Sequence, residues 1–335
     1  MQLMFVGGGG FGAWNTPLRR WHATLRTMTR FEVHSFEDGR AFREAVEPFL
    51  VAREAAHCLH LGVLDGIEAG EWHEAFLALV ERDAGVQLVA MRTPPYDLMV
   101  SHAESVEAIA FLVERLRAAE RGAALGSAAS QEALGRVGGV RGEPWVVQAF
   151  AERWMALGSE GTETISRQWV HACREVVPVS GVPGRLRPVG DADHDLVAQW
   201  IHAYHAEAIP HEPHHADASA RRWFESPHRS LWLWEVEGAP VAMAGVGNPT
   251  PHGVRIRAVF TPPEHRGQGF ARAAVAGVTG QQLSLGREAC FVFADVTDPV
   301  ANRVYRSVGY APEVEMEHVR FVERSFTPGG AVDGA

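Results

Sequence analysis

The stretch Val254–Ala274 reads VRIRAVFTPPEHRGQGFARAA and decides the predicted fold of the second half of the chain. Within its first eight residues, Arg255 and Arg257 alternate with apolar side chains, which is the period of a half-buried strand. Pro262 and Pro263 then end the strand, because proline has no backbone N–H to donate to a ladder. From Arg266 onward, two glycines lead into Ala-rich sequence that predicts a helix. Together these parts predict an anion site, because outward N–H groups and the helix dipole favour negative charge.

Two other phosphate-binding loops do not fit this stretch. A Walker loop needs a lysine, and all 31 basic residues of the chain are arginine. A dinucleotide fingerprint has the spacing G-x-G-x-x-G, whereas the spacing here is R-x-x-G-x-A. The stretch resembles the pyrophosphate loop of the GNAT superfamily of acyl-CoA N-acyltransferases, Q/R-x-x-G-x-G/A. Arg266, Gly269 and Ala271 occupy its three defining places.

A second segment, Asp298–Tyr310, extends the resemblance. It reads DPVANRVYRSVGY and is similar to the turn and helix that the family places on the CoA side. Tyr305 and Gly309 match the family in spacing, and Asn302 matches an asparagine often seen three residues before that tyrosine. Asp298 departs from the family, which usually has asparagine there, and a negative charge near CoA phosphates is mildly unfavourable.

The resemblance implies acetyl-CoA as co-substrate and direct attack by an amine on its thioester in a ternary complex. The implied CoA-binding residues are Val259, Phe260, Thr261, Arg266, Gly267, Gln268, Gly269, Phe270, Ala271, Arg272 and Asn302. A backbone N–H near Val259 is expected to donate to the developing oxyanion. Tyr305 is expected to protonate the leaving thiolate or to hydrogen-bond its sulfur.

The general base has no single sequence candidate. The predicted fourth strand of the second half offers only Arg255 and Arg257, neither of which is a base at neutral pH. Asp295, near the end of the fifth strand, is one candidate, and Glu207, on the first helix of that half, is another. A chain of water molecules without a single base is a third possibility.

Several histidines raise the question of a metal site. They are His202, His205, His211, His214 and His215. His202 and His205 lie one helical turn apart, but prolines interrupt the later three and no carboxylate or cysteine spacing matches a known zinc site. We therefore predict no metal and expect either solvated histidines or a histidine-lined wall of the acceptor groove.

Composition limits the partners. Hydrophobic residues at 46% and charged residues at 21% are ordinary for a globular protein. A net charge of −10 argues against general binding to nucleic acid, and no apolar run is long enough for a membrane helix. The basic patch in the opening stretch favours a small anionic ligand. Three widely spaced cysteines, Cys58, Cys173 and Cys290, form no disulfide framework, so we expect a cytoplasmic protein.

The predicted elements divide the chain into two similar halves. The second half has the order β-α-α-β-β-β-α-β-α-β, which is the GNAT order. The first half has a blurred version of it, with Ser101-His102-Ala103 where the phosphate loop should lie. In that half, Glu71–Arg82 is predicted as a helix and Gly122–Gly142 as a loop with a short strand or turn. We therefore expect an α/β fold of two GNAT-like domains in tandem, each a twisted, mainly antiparallel sheet flanked by helices.

The predicted limits are a disordered leader over 1–29, a degenerate GNAT-like domain over 30–177, a linker over 178–184, a catalytic GNAT domain over 185–326 and a disordered tail over 327–335. We expect an N-acetyltransferase that acts on a small-molecule or peptide amine, as a monomer or weak homodimer. The alternatives are a non-catalytic acyl-CoA-binding or regulatory module, or an acyltransferase that uses a longer acyl-CoA.

Overall fold

The computed structural model describes residues 30–158, 160–211 and 216–323. The predicted leader (1–29) and tail (327–335) lie outside these residues, as do His214 and His215. From Phe31 onward the described chain forms one compact unit. The limits predicted for the two domains are not tested by this division and stay a prediction.

The first half consists of β1 (Glu32–Phe36), α1 (Gly39–Val51), α2 (Glu54–Glu68), β2 (Phe76–Arg82), β3 (Gly85–Arg92), β4 (Leu98–Val100), α3 (Val106–Glu120), α4 (Ala128–Leu134), β5 (Gly139–Gly142), α5 (Pro144–Ala156) and β6 (Glu160–Cys173). The second half consists of β7 (Arg185–Pro188), α6 (His194–Ala208), α7 (Ala216–Glu225), β8 (Ser230–Val236), β9 (Ala239–Gly247), β10 (Gly253–Phe260), α8 (Phe270–Ser284), β11 (Ala289–Asp295), α9 (Pro299–Val308) and β12 (Ala311–Glu323). The predicted α/β fold class is confirmed, and the element order predicted for the second half is found.

Two local predictions in the first half were wrong or incomplete. The segment Glu71–Arg82 contains the strand β2 rather than a helix, because its apolar run packs between β1 and β3 inside the sheet. The segment Gly122–Gly142 contains both α4 and β5. Ser127 begins α4 by accepting a hydrogen bond from the Ser130 N–H (3.2 Å), which is the usual role of serine at a helix start.

All twelve strands of the described residues form one sheet, in the order β1-β2-β3-β4-β5-β12-β6-β11-β10-β9-β8-β7. The two halves exchange their last strands. β12 pairs with β5 of the first half, and β6 pairs with β11 of the second half. Between them, β6 and β12 run antiparallel at the centre of the sheet, with Ala172 opposite Ala311 and Thr162 opposite Phe321. Each half is therefore completed by a strand from the other.

Side-chain contacts outside the sheet also join the halves. Glu71 forms a buried ion pair with Arg229 (2.6 Å) and accepts a hydrogen bond from Ser226 (2.6 Å). The Asn248 side chain donates to the Gly62 carbonyl oxygen (3.1 Å), and a side chain at Gly62 would collide with Asn248. The surface between α2 and the loop after β9 is thus closely packed.

Candidate functional site

The site is built around a gap between β10 and β11. These two strands run parallel and pair at three positions, of which the last is Arg255 opposite Phe291. Beyond it β11 continues to Asp295 and stays paired with β6, whereas β10 continues to Phe260 without pairing to β11. The gap exposes backbone groups on β10 that a continuous sheet would pair.

A β-bulge in β10 lies beside this gap. Arg257 pairs with Gly245 and Phe260 with Met243, so two residues of β10 are unmatched by β9. Ala258 within the bulge has a φ of 48°, which is a strained value for a residue with a side chain. A bulge changes which face later side chains point to. Accordingly Ile256 packs with the core under α8, whereas Ala258 packs with the core under α6.

A cavity of about 820 Å³ opens at the gap and is lined by both halves of the chain. The lining residues from β10 and β11 are Arg255, Arg257, Ala258, Val259, Phe293 and Asp295. Helices α6 and α9 contribute Tyr204, Glu207 and Tyr305, and the first half contributes Leu59, Trp72, Tyr96, Asp97 and Arg141. Ligand pockets of soluble proteins commonly measure 300–1,000 Å³, so this cavity has the size of a small-molecule site.

The loop between β10 and α8 leaves its backbone donors free. Gly267 and Gly269 have φ values of 78° and 84°, which favour glycine. Gly269 begins α8 without a side-chain cap, and the first helical bond runs from the Ala273 N–H to the Gly269 carbonyl oxygen (3.0 Å). Among the hydrogen bonds of the described residues, none engages a backbone N–H from Gly267 to Arg272. Such a run of unpaired donors at a helix N-terminus is suited to an anion.

Arg266 ties this loop to the cavity. Its Nε donates to the Thr261 carbonyl oxygen (2.9 Å), and one terminal nitrogen forms an ion pair with Glu207 (2.7 Å). The Arg266 and Glu207 side chains are 48% and 50% exposed, so water screens the pair and it contributes little to stability. The pair nevertheless places one predicted base candidate directly against a residue of the predicted phosphate loop.

Tyr305 lies on α9 and is 8% exposed. Its ring centroid is 5.8 Å from that of Tyr310 and 6.2 Å from that of His171, a residue of the exchanged strand β6. Burial raises the pKa of the Tyr305 phenol well above its ordinary value, and nearby Tyr204 raises it further. The hydroxyl group is therefore a proton donor, not an anion, at neutral pH.

Asn302 is held entirely by protein groups. Its Oδ1 lies 2.9 Å from His171 Nε2, and its Nδ2 donates to the carbonyl oxygens of Asp295 (2.7 Å) and Asp298 (2.6 Å). These bonds fix the start of α9 against β6 and β11. The amide that the sequence suggested for CoA therefore has a structural role in this arrangement, and Tyr305, one turn later, is positioned by it.

The two acidic residues beside Asn302, Asp298 and Asp295, also accept hydrogen bonds from the protein. Asp298 begins α9 by accepting from the N–H groups of Val300 (2.9 Å) and Ala301 (3.0 Å). Asp298 thus caps the helix start. Asp295 Oδ1 accepts from the N–H and the hydroxyl group of Thr297, at 2.7 and 2.6 Å.

The cavity brings together four of the predicted site residues: Tyr305, Asp295, Glu207 and Val259. The residues predicted for the phosphate loop, from Arg266 to Arg272, lie outside its lining. Sequence reasoning missed Arg255 and Arg257 as site residues, although their alternation with apolar side chains was the available signal. It also missed His171, because nothing in the sequence places an exchanged strand beside α9.

Within residues 30–158, 160–211 and 216–323, no group of three or more His, Cys, Asp or Glu side chains has the arrangement of a metal site. No helix in the described part of the chain combines the length and the apolar character needed to cross a membrane.

The sequence model of the acetyltransferase (GNAT) family matches residues 195–310 of the chain. The family and the fold together support acyl transfer from an acyl-CoA. A search of curated proteins gave no match.

Solved structures show that the fold extends over both halves. A GCN5-related N-acetyltransferase from Sphaerobacter thermophilus is 16% identical, with a TM-score of 0.56, covering 88% of this chain and 96% of that one. A Drosophila protein is 10% identical, with a TM-score of 0.55, covering 88% of this chain and 99% of that one. A GCN5-related N-acetyltransferase from Kribbella flavida is 21% identical, with a TM-score of 0.47, covering 73% and 88%.

Proposed function

We propose that the protein is an N-acetyltransferase that moves an acetyl group from acetyl-CoA to an amine held in the cavity. The observation that carries the proposal is the juxtaposition of two features: the unpaired N–H groups of Gly267–Arg272 and the gap between β10 and β11, which Tyr305 lines. The first suits the phosphates of CoA, and the second suits a thioester and its attacking amine.

The loop fits a pyrophosphate for steric as well as electrostatic reasons. A side chain added at Gly267 would project into open space, which leaves room for phosphate oxygens against the backbone. Six consecutive N–H groups, the positive end of the α8 dipole and the Arg266 guanidinium all favour negative charge here. To reach a phosphate, Arg266 must break its exposed ion pair with Glu207. Breaking this pair costs little free energy because water screens it.

When bound, acetyl-CoA supplies a thioester carbonyl that an uncharged amine attacks. The amine nitrogen forms a bond to the carbonyl carbon, the bond from carbon to sulfur breaks, one proton leaves the nitrogen and one reaches the sulfur. We assign the second proton to Tyr305, whose phenol is protonated at neutral pH and lines the cavity where the sulfur would leave. The backbone beside Val259, unmatched by β9 at the bulge, is the proposed oxyanion donor.

For the proton that leaves the amine, Glu207 is the better placed of the two carboxylates. Asp295 Oδ1 already accepts two hydrogen bonds from Thr297, so this oxygen is not free to take a proton from the amine. Among the described residues, Glu207 is paired with Arg266 alone, and its carboxylate becomes available when Arg266 turns to a phosphate. This order of events couples donor binding to amine activation. We propose a soluble cytoplasmic enzyme, with one working site, acting on a small-molecule or peptide amine.

The testing experiment is a screen of amines with acetyl-CoA in which release of the CoA thiol is followed. Tyr305→Phe should reduce kcat roughly 100-fold or more while CoA affinity changes less than about threefold, because the hydroxyl group acts on the leaving sulfur. Tyr310→Phe is the matched control, since its hydroxyl group bonds Thr279 within the core (2.7 Å). That variant should be less stable, but its kcat should not fall as that of Tyr305→Phe does.

Two results would overturn the proposal in different ways. Binding of CoA without turnover across the whole amine panel would favour a non-catalytic acyl-CoA-binding module. Faster transfer from a longer acyl-CoA than from acetyl-CoA would move the assignment to another donor. A kcat for Tyr305→Phe equal to that of the native chain would remove Tyr305 as the acid.

A further inference from the structure

Two arginines of β10 enter the cavity without acidic partners. Arg255 and Arg257 are two residues apart on the strand, so their side chains lie on the same face. Arg255 is 8% exposed, its Nε has no hydrogen-bond partner, and no ion pair reaches it from any described residue. Its guanidinium instead lies over the Phe293 ring, 4.3 Å from the ring centroid. Arg257 donates to the Asn248 side-chain oxygen, which is uncharged.

This arrangement is costly for the protein alone. A buried charge without a counterion loses several kcal/mol of solvation, and two adjacent cations also repel each other. Burial, together with the neighbouring charge of Arg257, lowers the pKa of Arg255 to about 10. Because that value is still well above neutral pH, Arg255 remains a cation. An anionic ligand group would relieve both the lost solvation and the repulsion.

The acids that line the same cavity do not supply the missing charge. Asp97 bonds His318 Nε2 (2.8 Å), and Glu207 pairs with Arg266. Asp295 is bound by Thr297, and Asp298 caps α9. Of the other arginines in the lining, Arg229 already has Glu71 as its buried partner, and Arg222 lies over the Trp72 ring, 4.9 Å from the ring centroid. Arg255 and Arg257 are the pair that lies side by side on β10 without an acidic partner among the described residues.

We infer that the acceptor is an anionic amine, whose carboxylate or phosphate group binds at Arg255 and Arg257 while its amine points along β10 toward Val259 and Tyr305. This rests on the proposed function. Arginine presents parallel N–H donors that match the two oxygens of a carboxylate or phosphate. Arg257 and Val259 are two residues apart on β10, with the bulge between them, so the anion and the amine should be separated by several bonds.

The arginines are placed for the acceptor rather than for the phosphates of CoA. On β10, Val254 and Ile256 pack into the core under α8, whose N-terminus carries the phosphate loop. Arg255 and Arg257 alternate with them and thus lie on the opposite face, on the side where α6 contributes Tyr204 to the cavity. Two positively charged sites on opposite faces of one strand suit two different ligands that meet at the bulge.

The test uses the full chain, acetyl-CoA and matched amines in which only the distal group differs. We would compare ω-amino carboxylates from glycine to 6-aminohexanoate with their carboxamides and with aminoalkylphosphonates of equal length. At the best chain length, an anionic member should exceed its neutral amide at least tenfold in kcat/KM. The carboxylate and phosphonate arms identify which anion the arginines prefer.

Arg255→Met separates the anion site from the rest of the machinery. Removing a buried, unpaired charge leaves no orphaned partner, so the variant is expected to fold. Its KM for the anionic amine should rise at least tenfold, with kcat changed less than threefold and the neutral amide unaffected, because the lost contact binds ground and transition states alike. Arg121→Met, which removes an exposed arginine outside the cavity, should leave both amines unchanged.

The outcomes distinguish this inference from the proposed function. If CoA binds and amines are acetylated with no preference for an anionic group, or if Arg255→Met keeps that preference, the inference is wrong and the acetyltransferase stands. If CoA does not bind, the proposed function is wrong. If nothing is acetylated, calorimetric titration of the CoA-loaded chain with the same amines decides: no binding of the anionic members overturns the inference, and binding that Arg255→Met weakens at least tenfold supports it. Arg255→Met weakening CoA itself tenfold would show that the arginines serve the donor, and would also overturn the inference.

Discussion

The two halves of the chain each carry a strand, a loop and a helix at the corresponding place, but they treat the backbone donors differently. In the second half, β10 leads through Gly267 and Gly269 into α8, and the N–H groups of the loop are free. In the first half, β4 leads into α3 through a loop without glycine. There the Ser101 N–H donates to the Val89 carbonyl oxygen (2.9 Å), and the Glu104 N–H donates to that of Gln87 (2.9 Å).

Two more N–H groups of this first-half segment are also bonded within the protein. The His102 N–H donates to His57 Nε2 (3.0 Å), and Ser105 caps α3 by accepting from the Ala108 N–H (3.2 Å). The same frame therefore leaves six consecutive N–H groups unpaired in the second half, whereas in the first half four N–H groups of the loop and helix start are bonded within the protein, which closes that loop. The comparison teaches that the frame alone does not make a phosphate site; its donors must also be left unpaired by the protein.

Among the changes that test this difference between the loops, charge reversal in the open loop should have the largest effect, and it should act on CoA affinity. Arg266→Glu places a carboxylate beside the proposed phosphates and against Glu207, so CoA affinity should fall roughly 30-fold or more, or about 2 kcal/mol. Isothermal titration calorimetry with CoA measures it. Glu207→Gln is the control, because it removes the ion pair without reversing the charge and should leave CoA affinity within about threefold. Unchanged affinity in Arg266→Glu would remove the loop from the CoA site.

Backbone strain in the open loop should have the next largest effect. Gly269→Ala puts a side chain on a residue with a φ of 84° and 3.2 Å from Val182 Cγ2, so the loop must shift. We expect about a tenfold loss of CoA affinity, since a non-glycine residue in this conformation costs about 1–2 kcal/mol. Gly286→Ala is the control, because it has a similar φ of 93° with open space around it. Equal losses of CoA affinity in both variants would show a general loss of stability instead.

Lower pH should reduce the stability of the folded chain through His57, which contacts the closed loop. Burial lowers the pKa of His57 to about 4, compared with an ordinary value of 6.5. Between these values the unfolded chain binds a proton that the folded chain does not, so stability is full above about pH 6.5 and falls as the pH decreases toward 4. From pH 7 to 5.5, His57 should contribute a loss of about 1 kcal/mol in the free energy of unfolding.

Urea unfolding at the two pH values measures this loss. The control is His57→Gln, whose amide can still accept from the His102 N–H and donate to the Leu50 carbonyl oxygen that His57 Nδ1 contacts (2.8 Å). From pH 7 to 5.5, the free energy of unfolding of this variant should decrease by about 1 kcal/mol less than that of the native chain. An identical decrease in both proteins would assign the acid sensitivity to other groups, such as the buried His60.

Removal of the cap in the closed loop should have the smallest effect. Ser105→Ala deletes the bond to the Ala108 N–H, which should cost about 0.5–1 kcal/mol of stability. CoA affinity should not change, because this helix start is not part of the proposed donor site. Urea unfolding and CoA titration measure the two quantities. A change in CoA affinity would mean that the first half also contacts the donor.

The sequence predicted what depends on local pattern. The glycine loop, the helix start at Asp298 and the strand alternation of β10 follow from residue type and spacing, and the elements of the second half appear where they were expected. The helix predicted over Glu71–Arg82 failed because flanking strands, not local propensity, determine the conformation of its apolar run.

Features that depend on distant contacts could not be predicted. The exchange of β6 and β12 joins residues more than one hundred positions apart, and it brings His171 to Asn302. The pairing of Glu207 with Arg266 likewise joins a helix to a loop 59 positions later. The alternation of Arg255 with apolar residues indicated an exposed face, whereas the first half of the chain buries it.

The most direct test of the account is the stoichiometry of CoA binding by isothermal titration calorimetry of the full chain. The open loop of the second half and the closed loop of the first predict one CoA per chain. They also predict that Arg266→Glu abolishes or strongly weakens this one binding event, while Ser105→Ala leaves it intact. Two CoA molecules per chain, or binding that survives Arg266→Glu unchanged, would contradict the claim that only the second half holds a working donor site.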